Sequence, residues 1–234
     1  AFYAISALGL VTIVSLIFAI PSHLQGSTVN VKNELRILKR PLVMLGMLST
    51  VLGASAMFTL YTFITPMLMH FINASDQTIT IMLVVIGVGF SIGNYLGGYF
   101  ADKSLYPTLM ILFLLLASSM VLFPFIAVNT LGATLGLLFW SICSFALVPP
   151  IQILVMNAAV GAQALASSVN IGAFNLGNAI GAAVGAGILS HGYSYTVISF
   201  TGTLLALMGS MVILLIIRKK NRPDQELNVV CVCH

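Results

Sequence analysis

The amino-acid sequence predicts an all-α membrane protein in which one spanning helix precedes a bundle of six, arranged as two inverted three-helix repeats. Three observations predict this fold: the scarcity of charged residues, the placement of the basic residues and an internal repeat. The 234 residues include only 9 Lys and Arg and 5 Asp and Glu, which is 6%, whereas a soluble domain carries roughly 25% charged residues. Apolar residues make up 59%. These values exclude an ordinary soluble domain and indicate that lipid surrounds most of the chain.

The uncharged stretches of the chain set the number of spanning helices. Crossing about 30 Å of hydrocarbon takes ~20 apolar residues at a rise of about 1.5 Å each. The stretch 104–217 contains no charged residue and is long enough for about four crossings. Division at turn signals predicts seven spanning helices, at residues 1–20, 42–71, 78–101, 105–128, 131–156, 163–190 and 195–217.

The segments that flank the predicted bundle are assigned separately. Residues 1–20 lack the basic region of a secretory signal, so we expect them to be the last spanning helix of an N-terminal bundle outside this sequence. Residues 21–41 are expected to form a cytoplasmic linker, whose amphipathic part lies along the lipid headgroups. The six-helix bundle then occupies residues 42–217, and residues 218–234 form a cytoplasmic tail.

The basic residues fall only in alternate connections between the predicted helices. The connections around residues 75, 129 and 191 contain no Lys or Arg. Because Lys and Arg collect on the cytoplasmic side of a membrane, this distribution predicts a cytoplasmic C-terminus. The net charge of +4 then reflects the orientation of the chain in the membrane, so no nucleic-acid partner is expected. The first connection contains Lys32, Arg36, Lys39 and Arg40, the third contains Lys103, and the tail contains Arg218, Lys219, Lys220 and Arg222.

An internal repeat relates the two halves of the predicted bundle. Each unit contains three crossings, so the second copy lies upside down relative to the first. Inverted repeats of this kind are typical of secondary transporters, whose binding sites lie at the repeat interface. A shift of 84 residues superimposes Pro66 on Pro150, Phe90 on Phe174, Gly93 on Gly177, Asn94 on Asn178, and Gly97 on Gly181.

Amide side chains on the helices of the bundle are candidates for substrate contacts. Helix 163–190 places Asn170 and Asn178 on one stripe with several glycines, and helix 78–101 places Asn94 on a similar line. Uncharged amides that face a cavity would form hydrogen bonds with a substrate. The alternative is close helix packing, in which small residues let the backbones approach and the amides bond across the contact.

Helix 42–71 carries hydroxyls and a proline on one face. Thr59 and Thr62 precede Pro66 at helical spacing, and Tyr61 lies beside them. These residues are candidates for the cavity lining, and Pro66, with Pro150 in helix 131–156, is a candidate gating position because a proline leaves a backbone carbonyl unpaired. The alternative for each hydroxyl is a bond to its own backbone carbonyl four residues back.

Helix 131–156 contains the single tryptophan of the sequence. Trp140 lies halfway along the helix, away from the membrane interfaces where Trp usually collects. Ser144 lies one turn later on the same face, and Gln152 lies within about 120° of it. The three are candidates for the cavity lining, with stacking of Trp140 on a flat substrate as one interpretation and plain packing as the other.

Several chemistries are absent from the sequence. Glu34, Asp76 and Asp102 all fall at predicted helix ends or in connections, so no proton-relay carboxylate and no intramembrane catalytic dyad is predicted. The sequence contains no GxxxxGK loop for ATP. We therefore expect no enzymatic activity, no cofactor and no metal site. Cys231, Cys233 and His234 could chelate a soft metal, but a frayed tail is the expected alternative.

Two motifs carry a resemblance to a known family. Residues 93–103, GNYLGGYFADK, resemble the loop signature of the major facilitator superfamily, which runs from a glycine-rich helix into Ala-Asp-Arg/Lys. Here Ser104 follows instead of the usual glycine and further basic residues. The segments 48–61, 87–98 and 167–178 closely resemble bacterial inner-membrane members of the drug-proton antiporter group, which includes arabinose-related efflux permeases, purine efflux pumps and chloramphenicol exporters.

The resemblance implies the C-terminal half of such a transporter, in the bacterial inner membrane. Two six-helix bundles would rock about a central site, so that a small molecule leaves the cell while protons enter. Helices 42–71, 78–101, 131–156 and 163–190 would line the cavity. Gly93, Gly97, Asp102 and Lys103 would belong to the gating loop, with Asp102 locking one state by capping a helix of the missing N-terminal half. The alternatives are a passive facilitator or channel, and a structural or assembly protein of the membrane.

Overall fold

Helices make up nearly all of the chain that the structure, a computed structural model, describes. The described residues are 2–19 and 31–220, and this part contains no strand. Residues 1 and 20 of the predicted first helix, the predicted linker residues 21–30 and the tail from residue 221 onward, with its Cys and His residues, lie outside them. In chain order the helices are α1 Phe2–Ala19, α2 Val31–Leu38, α3 Pro41–Tyr61, α4 Ile64–Ile72, α5 Asp76–Lys103, α6 Leu105–Ile126, α7 Thr130–Ala146, α8 Val148–Ala158, α9 Gln163–Ser190 and α10 Tyr195–Lys220.

Six helical segments are long and apolar enough to cross a membrane, which confirms the predicted six-helix fold. They correspond to α3, α5, α6, the consecutive pair α7 and α8, α9 and α10. The predicted first crossing, 1–20, forms α1, an 18-residue helix in a unit separate from the bundle. Its apolar part, Gly9–Phe18, is shorter than the six spans.

Two of the predicted helices are broken, contrary to the expectation of continuous helices at 42–71 and 131–156. The first divides into α3 and α4 at Thr62 and Phe63, and the second divides into α7 and α8 at Leu147. Pro66 and Pro150 are the third residues of α4 and α8. A proline has no N–H for the carbonyl four residues back, and its ring crowds that carbonyl. Each helix is therefore interrupted about one turn before its proline.

The two breaks occupy equivalent places in the two repeats. α4 begins at Ile64 and α8 at Val148, so the predicted shift of 84 residues holds for the first helix of each repeat. The packing is equivalent as well, because α3 packs most extensively against α9, and α5 against α7. A rotation that relates the first three spans to the last three converts the pair α3 and α9 into the pair α7 and α5.

The second helix of each repeat is displaced by one turn from the predicted register. Gly93 faces the backbone of Ile142 on α7, whereas Gly181 lies against Phe58 and Thr59 on α3. Ile142 and Phe58 are 84 residues apart, so Gly93 corresponds to Gly181 and not to Gly177. The predicted equivalence of Asn94 with Asn178 is therefore wrong by one turn. The reason is that α8 and the turn after it are longer than α4 and its turn, so that α9 begins at Gln163.

The basic ends of two helices lie at one end of the bundle. The ammonium group of Lys103, at the end of α5, lies 4.2 Å from the ring centre of Tyr99. The ammonium group of Lys220, at the end of α10, lies 4.6 Å from the ring centre of Tyr106 at the start of α6. The contact with Tyr106 brings the end of α10 to the α5–α6 junction, as the predicted alternation of the basic residues requires.

The linker is anchored to the same end of the bundle. Leu38, the last residue of α2, is buried with Val43 of α3 and Val155 and Ala159 of α8. Ile37 approaches Gly161, which has a φ of +92° in the turn between α8 and α9. The apolar side of α2 therefore packs on protein at its C-terminal end, while Lys39 and Arg40 remain exposed.

The close approach of α5 to α7 yields a test of the fold. A methyl group added at Gly93 would overlap the Ile142 carbonyl group, whereas one added at Gly98 would meet nothing within 4 Å. We expect Gly93→Ala to lower the free energy of unfolding by about 1–3 kcal/mol. Gly98→Ala is expected to leave it unchanged or raise it by up to about 1 kcal/mol. Thermal unfolding of the two variants in detergent measures the difference, and equal stability would contradict the packing described here.

Candidate functional site

A cavity of about 220 Å³ lies between α3, α7, α8 and α9. Its walls are mostly apolar, and among the described residues that line it none is charged. Four of them are polar: Thr50, Ser144, Gln152 and Asn170. The apolar lining is formed by Gly53, Ala54, Met57, Phe145, Leu147, Val148, Ile151, Ile171 and Phe174. A small molecule with a large apolar surface and a few hydrogen-bonding groups is the ligand that such a wall accommodates.

A chain of hydrogen bonds joins three helices at this cavity. Thr50 of α3 donates its hydroxyl to Oδ1 of Asn170 at 2.6 Å, and Nδ2 of Asn170 donates to Oε1 of Gln152 on α8 at 2.7 Å. Nε2 of Gln152 then donates to the hydroxyl of Ser167 on α9 at 2.6 Å. Thr50 and Asn170 are both 4% exposed. The chain satisfies these buried groups and fixes the direction of each amide toward the cavity.

The break between α7 and α8 shapes one wall of the cavity. Ser144 and Phe145 end α7, Leu147 lies at the break, and Val148 begins α8. Thr50, Gly53 and Met57 line the facing wall from α3, at helical spacing. The interruption caused by Pro150 therefore places irregular backbone beside the cavity, where a membrane-spanning chain tolerates it.

Aromatic rings surround the middle of the bundle next to the cavity. Tyr61, the last residue of α3, stacks on Trp140 with ring centres 6.2 Å apart at 17°. Phe90 lies 6.1 Å from Trp140 and 3.9 Å from Phe145, which lines the cavity. Tyr61 also meets Phe58 edge to face. Both helix breaks are thus lined by one connected aromatic cluster.

Trp140 and Ser144 carry polar atoms that no described residue pairs with. Trp140 is 0% exposed and Ser144 is 3% exposed. Neither the indole Nε1 nor the Ser144 hydroxyl has a hydrogen-bond partner among the described residues. Cys143, between them in sequence, is buried and free.

The other predicted cavity residues lie outside the cavity lining. Thr59 and Thr62 donate their hydroxyls to the carbonyls of Ser55 and Phe58, each at 2.7 Å. Both hydroxyls are thus engaged with their own helix, as the alternative interpretation anticipated. Tyr61 belongs to the aromatic cluster instead.

Asn94 and Asn178 also lie away from the lining. Asn94 is exposed on α5. Asn178 lies one turn beyond the lining residue Phe174 on α9. Its Oδ1 is buried without a hydrogen-bond partner among the described residues.

The predicted gating residues fall in three groups. Gly93 and Gly97 lie against the backbone of α7, while Pro66 and Pro150 follow the two helix breaks. Asp102 and Lys103 are exposed in the last turn of α5.

Thr50, Ser167 and Phe174 belong to the site and were absent from the sequence-based candidates. Thr50 is 120 residues from Asn170 in sequence, so its role depends on the packing of α3 against α9. The sequence did contain a signal for Thr50, because this residue shares a helical face with Gly53 and Met57. Within residues 2–19 and 31–220, no group of three or more His, Cys, Asp or Glu side chains could hold a metal ion.

Comparison with known proteins identifies the relatives of the chain. No family model matches it. The inner membrane transport protein YdhP of Escherichia coli is 47% identical over 233 residues, covering 100% of this chain and 58% of YdhP. YfhI of Bacillus subtilis, an uncharacterized MFS-type transporter, is 31% identical over 208 residues, covering 89% of this chain and 52% of its own length.

A relative with a named cargo is more distant. The purine ribonucleoside efflux pump NepI of Escherichia coli is 28% identical over 221 residues, covering 94% of this chain and 56% of NepI. The chain thus spans little more than half the length of these curated relatives.

The hydrogen-bond chain at the cavity can be tested by removing its central member. Asn170→Ala removes the donor to Oε1 of Gln152 and the nearer acceptor of the Thr50 hydroxyl, which keeps the Gly46 carbonyl at 3.2 Å. We expect the free energy of unfolding to fall by about 1–3 kcal/mol, the cost of buried polar groups left unpaired. The matched control is Asn175→Ala, an exposed amide on the same helix, for which we expect no change. Thermal unfolding in detergent compares the two, and an unaffected Asn170→Ala would rule out a structural role for the network.

Proposed function

Because the chain is a homologue of major facilitator superfamily transporters, we propose that it forms the C-terminal six-helix half of an efflux transporter in the bacterial inner membrane. The complete protein exports a small molecule by alternating access, coupled to proton entry. We assign it no enzymatic step. The observation that carries the proposal is the uncharged cavity between α3, α7, α8 and α9, beside the break between α7 and α8, which has an equivalent in the first repeat.

The cargo that this cavity favours is small and mostly uncharged. Its wall offers the amides of Gln152 and Asn170 and the hydroxyl of Ser144 among apolar side chains. A sugar, a nucleobase or a drug-like compound has this combination of groups. The name of NepI, a purine ribonucleoside efflux pump, supports a cargo of this general kind.

A second bundle, the N-terminal half of the same protein, completes the site in this proposal. α5 and α9 are the least buried spans, although both pack closely on α7 and α3 along one face. Their open faces carry small and polar residues, including Ser91 and Asn94 on α5 and Ser168 and Asn175 on α9. Such faces suit another helix better than lipid. The length of the relatives, of which this chain covers little more than half, supports the same arrangement.

The proton-coupling group belongs, in this proposal, to that other half. The carboxylates of the described spans, Asp76 and Asp102, lie in the first and last turns of α5. A coupling acid lies at membrane depth, and the described residues supply none there. The exposed basic residues at the ends of α5 and α10 face the cytoplasm, in keeping with the positive-inside rule.

A passive facilitator is the second candidate, favoured by the same lack of an acid at membrane depth among the described residues. The two candidates differ in their energy source. We expect cells that express the complete transporter to lower their content of an exported compound, and a protonophore to abolish this export within minutes of addition. The measurement is the retention of a panel of labelled nucleosides, sugars and antibiotics, with cells lacking the gene as control. Export that continues down a gradient in the presence of the protonophore would favour the facilitator.

Asp102 offers a test of the proposed gating role that separates transport from stability. A carboxylate in the last turn of a helix faces the negative end of the helix dipole, which costs about 0.3–1 kcal/mol. Asp102→Asn is therefore expected to leave folding intact or slightly improved. It should nevertheless lower export by roughly tenfold, the effect of losing an interaction of about 1.4 kcal/mol that locks one state.

The matched control for this test is at the opposite end of the same helix. Asp76 lies in the first turn of α5, where the helix dipole favours an acid, and Asp76→Asn is expected to leave export near its original level. Export rates are compared at equal amounts of each variant in the membrane. Normal export by the Asp102→Asn variant would remove the locking role.

A further inference from the structure

Among the described residues that line the cavity, Ser144 has a hydroxyl without a hydrogen-bond partner; the hydroxyl of Ser199 is also unpartnered, but Ser199 does not line the cavity. A serine or threonine in a spanning helix ordinarily donates to a carbonyl three or four residues back. Ser141, on the same helix, donates to Leu138 at 2.9 Å, and Ser119 donates to Leu116 at 2.7 Å. The hydroxyl of Ser144 makes no such bond, although the residue is 97% buried and lines the cavity.

Trp140 lies one turn before Ser144 on the same face of α7. Its ring is held by Tyr61 and Phe90, so the indole is fixed by packing. The indole N–H can only donate, and it meets no acceptor among the described residues. α7 thus carries two buried donors, four residues apart, without acceptors among the described residues, and of the two only Ser144 lines the cavity.

The opposite wall of the cavity also presents donors. Asn170 and Gln152 each use one amide N–H within the hydrogen-bond chain, and each side-chain amide has a second N–H. No charged side chain among the described lining residues could compensate a charged ligand. Burial of an unpaired charge is far more costly than burial of a neutral acceptor.

Resting on the transport function proposed above, we infer that the substrate is an uncharged molecule that presents a hydrogen-bond acceptor, a carbonyl oxygen or a ring nitrogen, to the Ser144 hydroxyl at the cavity wall. Its apolar body lies against Met57, Phe145 and Phe174. Ser144 selects for the acceptor, and the uncharged wall selects against ions.

Four compounds of equal heavy-atom count test this selection by direct binding to the complete purified transporter. Acetophenone carries a carbonyl acceptor, isopropylbenzene is its apolar counterpart, benzoate is an anion and benzamidinium is a cation. Isothermal titration calorimetry in detergent measures each dissociation constant. We expect acetophenone to bind at least tenfold more tightly than each of the other three.

Two serine variants test whether Ser144 is the residue responsible for the preference for acetophenone. Ser144→Ala should reduce the advantage of acetophenone over isopropylbenzene to less than threefold. Ser141→Ala, which removes a hydroxyl already bonded to its own helix, should leave the advantage unchanged. In the absence of ligand, Ser144→Ala should unfold at the same or a higher temperature than the original protein, because it removes a donor that has no partner.

Each outcome bears on one of the two proposals. The inference is overturned if benzoate or benzamidinium binds as tightly as acetophenone, if Ser144→Ala keeps the tenfold preference, or if none of the four compounds binds. It is supported if the preference is present in the original protein and lost in Ser144→Ala alone. A preference without any export by cells contradicts the proposed transport function only, whereas export without the preference contradicts this inference only.

Discussion

The requirement that every backbone polar group be bonded inside the protein governs this structure. In lipid an unpaired N–H or carbonyl costs several kcal/mol, so the spans are helices over most of their length. Pro66 and Pro150 interrupt the regular hydrogen bonding of a helix at two places, one next to the aromatic cluster and the other next to the cavity. The cavity therefore opens beside one of the few places where regular helix hydrogen bonding stops.

Close approach of glycines to neighbouring backbones determines which helices meet. On α5, Gly93 and Gly97 lie against α7, and on α9, Gly177 and Gly181 lie against α3. Lipid provides no hydrophobic force between helices, so this contact and the hydrogen bonds across it stabilise the bundle. The bond from Ser55 to the carbonyl of Gly177, at 3.1 Å, is one of these. The same contact brings Thr50 within reach of Asn170, which connects the packing of the bundle to the chemistry of the cavity.

The sequence predicted the spans and their alternation because both depend on long apolar runs and on the position of Lys and Arg. The helix breaks were not predicted, because Pro66 and Pro150 lie inside apolar runs that have the pattern of one continuous helix. The register of α9 was not predicted for a similar reason, because a longer turn before α9 shifts the helix without changing its pattern of small and polar residues. Of the residues that line the cavity, Ser144, Gln152 and Asn170 were among the sequence-based candidates, because they are polar residues within apolar helices. Thr50 was not among these candidates, because only the packing of α9 against α3 distinguishes its hydroxyl from the other hydroxyls of the sequence.

The one-turn displacement of α9 has a consequence for the symmetry of the molecule. In the first repeat, the places that correspond to Gln152 and Asn170 are occupied by Leu68 and Met82, which are 0% and 1% exposed. Thr134, the counterpart of Thr50, bonds only its own helix. Apolar side chains therefore occupy, in one repeat, the places that amides occupy in the other. The pseudo-twofold axis relates the two backbones but not their side chains, so the polar groups of the cavity lie on one side of that axis.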